Sequence, residues 1–245
     1  MRPLDAIIVP TAGNRGYYPA HNATTLSDLL RAHTVVLRDK TIAEARNAGL
    51  RIARSLGWDR IMFLDDDIWI HEQQIAAAAG TLRDVQVVAF AAGEFPDNSV
   101  VRHAERAAGM PVSVHPSGSA MLVRVRKVPE GRLFPEIYNE DWFFMHGLEA
   151  VNGGSVEQKG YDPFVPGRAA REEFGDLVAE AIAGRPVTYD TEFWEQVIRD
   201  RGALLDRIDV SGAAARSLQE ARSALGVITP GGVRRWLTAW QRSCT

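Results

Sequence analysis

Four apolar residues, Ile61–Leu64, run without interruption into three aspartates, Asp65–Asp67, and an apolar pair, Ile68–Trp69, follows at once. No other feature of the chain limits its fold as much. An apolar run without polar alternation reads as a strand covered on both faces, the state of strands in parallel α/β sheets. The surrounding pattern agrees. Ala6–Val9 is a short β-branched run that breaks at Pro10 into a Thr/Gly/Asn turn, and His33–Asp39 and Val85–Gly93 read as further strands. Between them, residues 41–57 carry Ile42, Ala45, Leu50, Ile52, Ala53 and Leu56 at helical spacing and stop at Gly57, and residues 72–82 read as a second helix. Strand and helix alternate to about Gly93, which predicts an α/β fold with a mostly parallel central sheet flanked by helices.

Beyond Glu94 the pattern changes. Residues 94–118 are loop-rich, and Ser119–Val128 alternates apolar with basic residues, as a half-exposed strand would. Asn139–Val151 predicts a helix headed by acids and carrying an aromatic face. From residue 168 to about 225 the sequence is predominantly helical, with a break at Gly184–Pro186, and a last segment pairs arginines with tryptophans. The expected division is a domain over 1–167, with halves of about 1–93 and 94–167, and a helical C-terminal extension over 168–245. A chain of 245 residues fits one large domain with an appendage. At this length folding buries roughly 75% of the unfolded surface, so the core needs no covalent staples.

Composition narrows the function classes. A formal net charge of −3 argues against a nucleic-acid surface. The single cysteine, Cys244, rules out an intrachain disulfide and fits a reducing, cytoplasmic setting. No apolar run reaches the length of a membrane span, and the one near Met1 is too short for a signal sequence.

In parallel α/β sheets ligands bind beyond the carboxyl ends of the strands, which is where Asp65, Asp66 and Asp67 fall. Adjacent carboxylates there repel one another unless a cation offsets them. In an extended chain Asp65 and Asp67 point to one side and Asp66 to the other. A divalent cation, Mn2+ or Mg2+, held through one or both of Asp65 and Asp67 answers the repulsion. Such hard ions take few protein carboxylates and fill their shells with phosphate oxygens and water. A solvated acidic turn, or helix capping by Asp67, is the blander reading.

Several stretches together resemble GT-A-fold glycosyltransferases: "IIVPTAGNR", "EARNAGLRIARSLGWDRIMFLDDDI", "GSAMLVR" and "NEDWFF", in that order, over about residues 5 to 165. The pairing of DxD with ED resembles the large inverting, family-2-like group. The resemblance implies a nucleoside-diphosphate sugar donor of UDP or GDP type and a carbohydrate or small-molecule hydroxyl acceptor. It implies metal binding by Asp65 and Asp67, with Asp65 also contacting the donor and Asp66 near the ribose or sugar. It places Pro10, Thr11 and Arg15 in the first loop near base and phosphates, Arg46 and Asn47 near the base, and Gly118 beside the donor. Asp141 matches the general base of inverting members, with Glu140 beside it. Many members supply a third metal ligand, often histidine, after the acidic pair. Here residues 155–164 offer Gln158, Tyr161 and Asp162 instead, and His146 falls one helical turn past the acids.

Other residues carry two readings. His115 and Ser117 line an acceptor pocket or a plain loop. Trp142 stacks on a sugar ring or joins Phe143 and Phe144 in the core. Trp69 reads as a packing residue, and "REEFGD", Arg171–Asp176, as a solvated acidic helix start, with a lid as the other option. Arg234, Arg235, Trp236 and Trp240 read as a terminal helix packing its tryptophans, with contact to a membrane surface or to donor phosphates as the other option. The helical part covers the acceptor, makes a homodimer or braces the sheet. Two other functions compete with sugar transfer. One is a nucleotidyltransferase, for which "PTAGNRG" is a thin phosphate loop, and the other is a non-catalytic nucleotide-sugar-binding relative.

Overall fold

The structure, a computed structural model, describes residues 3–10, 26, 28, 30–37, 41–92, 100–111, 115–158, 169–184, 186–208 and 213–243. These fall into two compact units. The first comprises residues 1–95, 114–136 and 140–161, and the second residues 96–113, 137–139 and 162–245. The helical unit thus also takes in 96–113 and 137–139, from inside the span assigned to the first domain by sequence.

The first unit is built on a seven-stranded sheet in the order β2-β1-β3-β6-β5-β7-β4. Its strands are β1 (Ala6–Pro10), β2 (His33–Leu37), β3 (Arg60–Leu64), β4 (Ile68–Trp69), β5 (Val87–Ala92), β6 (Pro116–Arg124) and β7 (Ala150–Gln158). Strands β1, β2, β3, β5 and β7 run one way, and β6 and β4 run against them. This is the expected α/β class. Helices α1 (Ile42–Ser55) and α2 (Glu72–Thr81) join the early strands. No helix among the described residues is long and apolar enough to cross a membrane.

The continuous apolar runs are buried on both faces, as read. Ile61, Met62 and Phe63 are all fully buried and divide by alternation. Met62 joins a core with Ile7, Leu122 and Phe90, while Ile61 and Phe63 join a second with Ile8, Leu50 and Phe134. Each such side chain contributes about 1.5–3 kcal/mol by leaving water. Helix α1 starts on a capping box, in which Thr41 Oγ1 accepts from the Glu44 amide and the Thr41 amide donates back to Glu44 Oε2. Its Gly49 lets it lie close on the sheet, since a Cβ there would come within 2.9 Å of Ile8 and 3.1 Å of Phe63.

Several expectations change. Residues 119–128 do not form a half-exposed strand. Ala120–Val123 are buried at the centre of the sheet between β3 and β5, and the basic residues fall at or beyond the strand end, with Val125–Lys127 in a 3-10 turn. The helix after Asn139 covers only Glu140–Met145 (α4) and is followed by Gly147 at φ 78°. Residues 150–158 then form β7, which the sequence hid because its mostly exposed "AVNGGSVEQ" lacks alternation. Trp69 is 40% exposed rather than packed, with its ring nearly perpendicular to that of His71.

The second unit is helical: α3 (Val100–Ala107), α5 (Ala169–Gly184), α6 (Thr191–Leu205), α7 (Ala213–Gly226) and α8 (Pro230–Ser243). The break after Gly184 falls where the sequence placed it. The tryptophans of α8 pack within this unit: Trp240 is 8% exposed, and Trp236 stacks on Trp240 and meets Phe174 edge-on. "REEFGD" is not a solvated start. Glu173 and Asp176 are buried, and both bind Arg201 of α6.

Candidate active site

Strands β1 and β3 are parallel with Ile8 opposite Phe63, so Pro10 and Asp65 come out at the same edge of the sheet. Antiparallel β6 enters there, with Ala120 opposite Leu64 and the Ser119 carbonyl accepting from the Asp65 amide at 2.7 Å. Gly118 therefore lies beside the first aspartate. Helix α4 begins next to Gly118: the Gly118 amide donates to Asp141 Oδ2, and the Trp142 amide donates to Asp141 Oδ1 at 2.8 Å. The acidic strand end and the acidic helix start meet on one side of the sheet.

Arg46 joins them. It lies on the buried stripe of α1 with Ala43, Leu50 and Ala53, its side chain only 3% exposed. Its Nη2 donates to Asp65 Oδ1 at 3.0 Å and Oδ2 at 3.1 Å, and its Nη1 donates to Glu140 Oε1 at 2.7 Å, 94 positions along the chain. Its Nε is buried without a partner. A Cβ at Gly118 would stand 2.6 Å from the Asp141 Cβ and 2.8 Å from Arg46 Nη1. The guanidinium and the Asp141 side chain thus occupy the space that any other residue at 118 would fill.

The electrostatics follow from this crowding. Burial pushes the Asp65 carboxyl up to about 7. Arg46 pulls against that rise, and the neighbouring Asp67 adds to it. Burial works to lower Arg46, but Asp65, Glu140 and Asp141 outweigh it, so its guanidinium is held above its ordinary range. Burial also raises Asp66. Asp67 Oδ2 accepts from Gln158 Nε2 at 2.7 Å, because β4 pairs with β7 and sets Ile68 opposite Gln158.

Among the described residues no three His, Cys, Asp or Glu side chains gather into a metal cage. The donors still fit a hard cation that takes few protein ligands. Asp65 and Asp67 offer carboxylate oxygens, their mutual repulsion helps raise Asp65, and the Gln158 carboxamide stands beside Asp67.

The other candidates divide. Asn47 clasps the backbone of Phe134 in both directions, donating to its carbonyl and accepting from its amide, each at 2.8 Å. Ser117 Oγ lies 2.6 Å from Ser119 Oγ, and His115 is exposed at the foot of β6. Trp142 is half-buried, edge-on to Phe143 and stacked at 4.9 Å on His146, while Phe143 and Phe144 are core residues. Burial, then Arg132, lowers the His146 imidazole. Thr11, Arg15, Tyr161 and Asp162 lie outside the described residues. Sequence reading set Arg46 beside a base and missed that it bridges both acidic motifs. The available signal was one charged residue on an otherwise apolar helix stripe, which demands buried acids.

No protein-family model and no curated protein matches the chain. Solved structures similar to it include three transferases. A mannosyltransferase of Pyrobaculum calidifontis, in complex with GDP-Man and Mn2+, has 16% identity and a TM-score of 0.46, covering 98% of this chain and 85% of that one. TarS (residues 1–349) of S. aureus has 13% identity and a TM-score of 0.39, covering 97% and 91%. A nucleotide-diphospho-sugar transferase, described as putative, of Desulfovibrio desulfuricans G20 has 10% identity and a TM-score of 0.38, covering 84% and 98%.

Proposed function

We propose that the chain is a metal-dependent GT-A-type glycosyltransferase of the family-2-like group. It moves a sugar from a UDP or GDP donor to a hydroxyl acceptor with inversion, a hexosyltransferase-type reaction. One observation carries the reading: Asp65 at a strand end and Glu140 at a helix start are held on the single buried guanidinium of Arg46, with Asp141 beside them.

The residues divide the work. Asp65 and Asp67 would hold Mn2+ or Mg2+, whose chemistry is to offset charge on the departing diphosphate, typically worth several kcal/mol. Asp141 accepts the proton of the acceptor hydroxyl, for about 10²–10⁴-fold in rate. Its two backbone donors fix the carboxylate plane, and a carboxylate has lone pairs beyond the two they use. Glu140 anchors the start of α4 to Arg46, so Asp141 faces the donor edge of the sheet.

Titration calorimetry with UDP and with GDP, with and without Mn2+, tests the donor half. Binding of one nucleotide should need the metal and vanish in Asp67→Ala; tight binding indifferent to a chelator sinks the metal role. Asp141→Asn should keep nucleotide binding and lose transfer, and near-native transfer by that variant would remove Asp141 as the base.

A further inference from the structure

Strand β4 is two residues long, yet more than its own ladder ties it to β7. Ile68 pairs with Gln158 and Trp69 with Glu157. The Gln74 side chain of α2 bridges the two segments, accepting from the His71 amide at 3.0 Å and donating to the Ser155 carbonyl at 2.8 Å. Ile68, Ile70 and Val156 are buried in one core. The backbone that carries Asp67 and the backbone that carries Gln158 are therefore fixed against each other.

Alternation sets Gln158 on the same face of β7 as Val156, and the cross-strand pairing sets it beside Ile68. Val156 is 6% exposed and Ile68 3%, so a leucine at 158 would extend an apolar row. A half-buried glutamine stands there instead, and its Nε2 donates to Asp67 Oδ2 at 2.7 Å. A carboxamide does to a carboxylate what a guanidinium does not. It fixes the orientation of the acid through one oxygen and leaves its negative charge uncancelled, so the attraction for a cation is kept. The only ligand atom it can itself offer a cation is a neutral oxygen. Oxygen donors suit Mg2+ and Mn2+, whereas imidazole suits Ni2+ and Zn2+.

We propose that Gln158 is the positioning residue of Asp67, and that it sets the preference of the site for Mg2+ or Mn2+ over nitrogen-seeking cations such as Ni2+. The inference rests on the reading that Asp65 and Asp67 hold the cation of the donor.

Gln158→Leu removes the donor and keeps the bulk. In EDTA its melting temperature should equal or exceed that of the wild type, because leucine packs beside Ile68 and water reaches the partly exposed Asp67. Calorimetry with UDP and with GDP in Mn2+ should nevertheless show nucleotide binding weakened by about 10–100-fold, the loss typical when a group that orients a metal ligand is removed. Gln158→His should tighten nucleotide binding in Ni2+ relative to binding in Mn2+. Wild-type binding in Mn2+ by Gln158→Leu, or an unaltered ratio of Ni2+ to Mn2+ binding in Gln158→His, overturns the inference and leaves the transferase reading standing. A binding loss matched by a fall in melting temperature makes Gln158 a structural residue only and overturns it as well. Wild-type protein that binds neither nucleotide in any of these metals removes the transferase reading itself, and this inference with it.

Discussion

Arg46 and Arg201 are alike in setting: each side chain is 3% exposed and each sits among three acids. They differ in how those acids are supplied. Arg201 faces Glu173, Asp176 and Glu180, which recur along one stripe of α5, and it reaches all three from α6. Arg46 gathers acids from a strand end and from a helix start, far apart in the chain. Glu173 and Asp176 are closed off, at 0% and 3%, and only Glu180, at 41%, opens to solvent, whereas Asp65 and Glu140 both stay partly open, at 22% and 19%. A cluster whose inner acids are closed braces two helices. A cluster with open carboxylates keeps oxygens that something else can reach.

The largest expected effect breaks the closed cluster. Arg201→Ala strands Glu173 and Asp176 without a counter-charge and should cost about 3–5 kcal/mol in urea unfolding. Arg46→Ala should cost less, about 1–3 kcal/mol, because water reaches its acids, yet it should abolish nucleotide binding. Equal stability losses without a binding defect would erase the distinction between the two clusters.

Two glycines sharpen it further. Gly118→Ala forces a Cβ against Asp141 and Arg46, and a displacement on the order of 1 Å at a reacting group costs about 100-fold in transfer. Gly175→Ala meets the Tyr138 carbonyl inside the helical unit and should cost about 1–3 kcal/mol of stability. Its effect should appear in melting curves and not in the nucleotide affinity of the folded fraction.

The last effect is in pH. Burial raises Asp65 from 3.8 to about 7, so the folded state holds a proton that the unfolded chain has released. That contribution to stability is complete below 3.8 and is lost as pH rises through about 7. In metal-free protein, the melting temperature relative to Asp65→Asn should therefore fall between about pH 5 and about pH 8. A constant difference would mean that Asp65 is already ionised at the lower pH.

The sequence by itself determined the α/β class, the buried strand ending at Asp65, the helix over residues 41–57 and the helical character beyond Arg168. Each is written in local periodicity, which a strand or helix obeys wherever it is placed. It also marked Asp65–Asp67, because carboxylates clustered after a buried run are costly without a partner, while Glu140 and Asp141 stood out as acids heading a helix and through the family resemblance. It could not assign partners. The arginine at position 46 interrupts an apolar stripe without saying which acids meet it, and the acids at 173 and 176 look like polar residues that solvent could satisfy. Only the tertiary structure paired Arg46 with Asp65 and Glu140, buried Glu173 against Arg201, and set β6 between β3 and β5 against their direction. Such pairings span long stretches of chain, and the free energy that selects them comes from burial and charge at contacts that no local window contains.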